Sequence, residues 1–224
     1  MLRARRIAAF AGLAFALSCS AKPGTVVSAQ EGVWYETTLD RDTSYLPMGK
    51  AEVEVQTAVP VPAEAPFAMD LYLPRRKEAA PLVLFLPGAF VQRDRYFWLG
   101  QTLASHGVAV AVVEPAGGFN KSFHATATLD ALAALGADGG PLAGRIDRGR
   151  IVLAGHSQGA LTQAGVADVG SCAEGFCAAG MRSPDGVRGL LLLGYHGEDP
   201  DRPERNTTPI GAAEVPWLIL TGSA

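Results

Sequence analysis

At 224 residues, 48% apolar and 18% charged, with a formal net charge of -3, the chain has the length and apolar content of one ordinary domain with a substantial core. Its charged fraction lies below the roughly 25% common in soluble domains, and its apolar fraction excludes intrinsic disorder. Mild acidity excludes the clustered Lys and Arg of a nucleic-acid binder, and no apolar run reaches the roughly 20 residues of a membrane-spanning helix.

Residues 1–20 read as an export signal. Arg3, Arg5 and Arg6 give a positive start, and 7–17 is an apolar stretch of signal-peptide length. Leu17-Ser18-Cys19 resembles a bacterial lipobox, in which Cys19 becomes the lipid-bearing first residue of a protein held at the cell envelope. Cleavage after Ala21 or Ala29 would instead give a periplasmic or secreted product. The Arg5-Arg6 pair is part of a twin-arginine pattern. Residues 21–50 read as an irregular tether, and 51–224 as an α/β domain.

Within that domain, 53–57 alternates like a half-exposed strand and 69–73 is a second strand, with Pro60, Pro62 and Pro66 between them as a loop. From 81 onward come short continuous apolar runs at 82–86, 108–113, 151–154, 190–193 and 217–220. Strands apolar on both faces belong to a parallel sheet covered by helices. Segments 96–106, 123–135 and 160–167 between them have helical spacing, with Gly107 and Gly136 at helix ends. The pattern predicts an α/β fold whose ligands gather at the carboxyl ends of the strands.

Gly155-His156-Ser157-Gln158-Gly159 stands between a strand at 150–154 and a helix, the context in which G-x-S-x-G forms a nucleophile elbow. The glycines let the chain reverse where neighbouring backbone passes close, leaving the Ser157 hydroxyl exposed. Attack on an acyl carbon creates an oxyanion that needs two prepositioned N–H donors. Gln158 supplies one. Pro87-Gly88-Ala89-Phe90, after the run at 82–86, supplies the other, through the Ala89 amide or else that of Phe90.

These residues resemble the α/β-hydrolase superfamily, specifically its chlorophyllase, polyester hydrolase (cutinase-like) and dienelactone hydrolase relatives. The resemblance is carried by Pro81-Leu-Val-Leu-Phe-Leu-Pro-Gly88, Leu103-Ala-Ser-His-Gly-Val-Ala-Val110 and the elbow, and covers roughly residues 66–224. It implies a carboxylic ester hydrolase using Ser, an acid and His, with no cofactor. In the family the acid follows the strand that here is 215–222, and the His comes later. The sequence therefore reads as a fragment with its last strand and helix missing, nearly inactive by itself.

The other titratable residues divide between modest roles and one candidate base. His106 reads as a helix C-terminal residue, His124 as solvated on a first helical turn, and His156 as packed beneath the elbow. His196, after the run at 190–193, is the one in-chain candidate base, with Glu198, Asp199 or Asp201 as its acid or as a solvated loop. Glu114 reads as a carboxylate capping the Gly117-Gly118 turn. Phe90 and Phe119 follow strand ends and read as substrate-facing, whereas one or two of Tyr96, Phe97 and Trp98 belong to the core. Cys172 and Cys177 read as a local disulfide in an oxidising compartment, or as two free thiols.

The function expected is an exported serine esterase acting on a small-molecule or polymeric ester, without metal or nucleic acid. A lipid-anchored, non-catalytic binding protein and an acyltransferase on the same scaffold are the alternatives.

Overall fold

The short apolar runs become strands, those at 82–86, 108–113, 151–154 and 190–193 largely buried and the one at 217–220 mostly exposed. The structure is a computed structural model. It describes residues 5–7, 25–30, 33–38, 48–63, 67–114, 121–137, 142–167, 184–194 and 215–220, the first three segments and 121–124 by their backbone alone. β1 (Arg5–Ile7), β2 (Thr25–Gln30) and β3 (Val33–Thr38) form a small antiparallel sheet in the order β1-β3-β2. Two of these strands lie in the stretch expected to be irregular. Thr25-Val26-Val27 and Val33-Trp34-Tyr35 are β-branched and aromatic, the residue types that favour strands.

Seven strands build the main sheet: β4 (Val53–Val61), β5 (Phe67–Pro74), β6 (Ala80–Leu86), β7 (Ala109–Glu114), β8 (Ile146–His156), β9 (Val187–Leu193) and β10 (Trp217–Leu220). Their order is β10-β9-β8-β6-β7-β5-β4. Strands β6 to β10 are mutually parallel, β5 runs antiparallel to β7, and β4 antiparallel to β5. Pro60, expected in a loop, lies inside β4. Among the described residues β4 ends the sheet order, so one of its sides makes no ladder there and tolerates a residue without an N–H. The register with β5 shifts between Gln56 and Val59, where Ala58 adopts φ 53°.

A 3-10 turn (Arg93–Tyr96) leads into α1 (Phe97–Ser105); α2 (Lys121–Gly136) and α3 (Gln158–Ala167) follow. Alternate residues of each parallel strand serve opposite faces. Val83, Phe85, Val110 and Val112 pack with Tyr96, Leu99 and Ala104 on one side of the sheet. Leu82, Leu84, Ala111 and Leu153 pack with Ala125, Ala131, Leu135, Ala160 and Ala164 on the other. Leu84, Phe85 and Leu153 are fully buried, and each such side chain contributes about 1.5–3 kcal/mol. The molecule is an α/β protein with helices on both faces of a mostly parallel sheet. Strands β6, β7 and β8 end side by side at Leu86, Glu114 and His156, which fixes where the following turns meet.

Candidate active site

Strand β8 ends at His156 and α3 begins at Gln158, so the chain turns from strand to helix on Ser157. Ser157 has φ 51°, a left-handed conformation that costs about 1–3 kcal/mol in a residue bearing a Cβ. Two glycines make the turn possible. A Cβ on Gly155 would collide with the backbone of Gly159 and Ala160, and one on Gly159 with the carbonyls of Leu86 and Pro87. The Ser157 N–H donates to the Leu193 carbonyl at 2.8 Å, and its carbonyl accepts the Leu161 N–H at 3.1 Å. Backbone packing on three sides thus holds a strained residue in place. Ser157 itself remains partly exposed.

The collision at Gly159 also shows that the loop after β6 lies directly against the start of α3. In that loop the Val91 N–H donates to the Gly88 carbonyl at 3.1 Å, closing a tight turn with Ala89 and Phe90 at its centre. Phe90 takes φ 58° and is 83% exposed, while Ala89 is half-buried. Gln158 opens α3, so its amide stands at the positive end of the helix dipole. The structure therefore brings Ser157, Gln158, Ala89 and Phe90 onto two touching turns.

Two side chains secure the loop. The buried Tyr96 hydroxyl accepts the Gly88 N–H at 3.0 Å and lies 2.9 Å from His156 Nδ1. Burial pushes the Tyr96 phenol above its ordinary range, opposed by the Gly88 hydrogen bond. Arg93 donates from Nε to Asp70 Oδ1 at 2.9 Å and from NH1 to Glu114 Oε2 at 2.8 Å. Burial works against the Arg93 charge, but hydrogen bonds and attraction from Asp70 and Glu114 outweigh it and raise its affinity for the proton. Asp70 Oδ1 also accepts the Ala58 N–H at 2.8 Å, so the same carboxylate serves the β4 bulge.

Glu114 is a partner of Arg93, and the Gly117-Gly118 turn it was expected to cap lies outside the described residues. Glu114 accepts both the Arg93 side chain and, at 3.3 Å, the Arg93 main-chain N–H. His106 is exposed at the far end of α1, where its N–H donates to the Leu103 carbonyl at 3.1 Å. The His156 ring lies close to both Gly88 and Gly194. Tyr96 and Phe97 belong to the core, Phe97 edge-on to Tyr72 at 5.8 Å, and Trp98 faces outward.

His196, Glu198, Asp199, Asp201, Phe119, Cys19, Cys172 and Cys177 lie outside the described residues, as does the His124 side chain. Among the described residues no group of three His, Cys, Asp or Glu could hold a metal ion, and no helix is long and apolar enough to cross a membrane. Sequence reasoning missed the roles of Tyr96, Arg93 and Asp70. Asp70 did carry a signal: a lone carboxylate inside the apolar Phe-Ala-Met-Asp-Leu-Tyr-Leu run has to find a cation or amides when buried.

No protein-family model matches the chain, and no curated protein matches it. What the fold and the site define is an α/β protein with a strained, partly exposed serine between a parallel strand and a helix.

Proposed function

We propose that the protein is an exported serine hydrolase of the α/β-hydrolase fold, acting on carboxylic esters through an acyl-enzyme. The observation that carries this reading is the Ser157 backbone. A partly exposed serine is held at φ 51° between a parallel strand and a helix by glycines that nothing larger could replace, the backbone that a nucleophile elbow requires. The arrangement around it supports the same reading. The loop expected to donate the second amide follows β6, the third strand of the main sheet, and leads to the first helix, as the hydrolase motif requires.

In this mechanism Ser157 Oγ attacks the ester carbonyl carbon as a base takes its proton. The carbonyl oxygen becomes an oxyanion, held by the main-chain N–H groups of Gln158 and Ala89. Its collapse expels the alcohol, protonated by the same base, and leaves the acyl group on Ser157. Water then repeats the cycle and releases the acid. His196 is the in-chain candidate for the base, with Glu198, Asp199 or Asp201 as its acid.

Hydrolysis of short aryl esters by the protein of the whole reading frame tests this. Ser157→Ala should lower kcat by at least about a thousandfold, leaving only the rate due to binding and the oxyanion donors. A variant as fast as wild type would overturn the proposal. A competing alcohol that captures most of the acyl group would redirect it from hydrolysis to acyl transfer.

A further inference from the structure

The two turns that carry the oxyanion donors belong to different strands, and their spacing decides whether both amides reach one oxygen. A single hydroxyl joins them. Gly88, which accepts no Cβ because it would lie 2.7 Å from His156 Nδ1, immediately precedes Ala89. His156 immediately precedes Ser157 and Gln158. Tyr96 OH bonds to both Gly88 and His156, at 3.0 and 2.9 Å. The Gly88 N–H can only donate, so the phenol oxygen accepts it, while the bond to Nδ1 runs in the direction that the imidazole tautomer sets.

We propose that Tyr96 is a positioning residue of this site, fixing the loop after β6 against the elbow and so setting the separation of the Ala89 and Gln158 amides. The inference rests on the hydrolase reading for its catalytic consequence. Both ends of the clamp are rigid. The Tyr96 ring packs on Phe85 with centroids 4.5 Å apart, and its 3-10 turn is tied to β5 and β7 through Arg93. The imidazole lies close to both Gly88 and Gly194, and a Cβ on Gly194 would stand 3.5 Å from Nε2. Neither partner can drift without losing contacts on both sides.

Tyr96→Phe keeps the ring and removes the hydroxyl. In the protein of the whole reading frame it should lower kcat about tenfold, with KM changed less than about twofold. His156→Leu should do the same, and the double variant should be no slower than either single one. His156→Asn restores a polar partner near the Nδ1 position and should recover most of the rate. The Gly88 amide should exchange with solvent faster in Tyr96→Phe than in wild type. Unchanged exchange at Gly88 overturns the clamp whatever the chemistry. A Tyr96→Phe enzyme as fast as wild type, in a protein whose Ser157→Ala variant is dead, overturns the positioning role alone. A wild type whose ester turnover survives Ser157→Ala overturns the hydrolase reading and the catalytic role of Tyr96 with it.

Discussion

Phe90 is an aromatic residue held at φ 58° with 83% of its surface exposed, so it bears backbone strain without the burial that would offset it. Glycine relieves the strain and loses little packing, at the cost of more chain entropy on folding. Phe90→Gly should therefore leave stability unchanged or raise it by up to about 1 kcal/mol, while slowing the proposed ester turnover by loosening the loop after β6. Urea denaturation checks the first part; a loss well above 1 kcal/mol would show that the ring packs against the fold. Among single residues, Ser157 was legible because its glycines and flanking pattern are local. Tyr96 was not, since helical spacing marks it only as core and its partner His156 lies 60 residues away. The Arg93 partner of Glu114 was not legible for the same reason, lying 21 residues away.

The elbow is an element in which strand, turn and helix exclude alternatives by contact. Gly155→Ala and Gly159→Ala each put a methyl group into main-chain atoms that cannot step aside. Each should destabilise the protein by about 1–3 kcal/mol and displace Ser157. Chemical denaturation measures the first effect and ester turnover the second; a Gly159→Ala protein with wild-type midpoint and rate would contradict the tight contact between α3 and the loop after β6. Element type followed readily from continuous apolar runs, because strands buried on both faces leave no polar positions to confuse the pattern. The edge misled: β4 continues through Pro60, since proline is tolerated where no ladder forms. Helix α3 starts at Gln158 rather than Ala160, because the helix begins as soon as the strained serine has turned the chain.

Across the molecule, Glu54 on edge strand β4 meets Arg145, which precedes β8. Its two carboxylate oxygens accept NH1 at 3.2 Å and NH2 at 3.1 Å across 91 residues of sequence. The Arg145 hydrogen bonds hold the Glu54 carboxyl below its ordinary value of 4.5, helped by Gln56. A carboxylate lowered in the folded state stabilises it fully above the unfolded value and stops doing so as pH falls through the lower folded value. Stability should thus drop on the acid side of 4.5, and Glu54→Gln should flatten that limb while lowering stability at neutral pH. Denaturation midpoints followed across acid pH would show it, and identical acid limbs in both proteins would contradict it.

The parallel order around β6 and β8 was legible only as a class, α/β with a site at the carboxyl edge; the strand neighbours come from pairings that no local pattern encodes. Everything functional depends on Ser157 being a nucleophile. Treating the protein of the whole reading frame with a fluorophosphonate and mapping the adduct by peptide mass tests that most directly. The expected result is one phosphonyl group, on Ser157, with none in Ser157→Ala. A native protein that stays unmodified, or that carries the group on another residue, would contradict it.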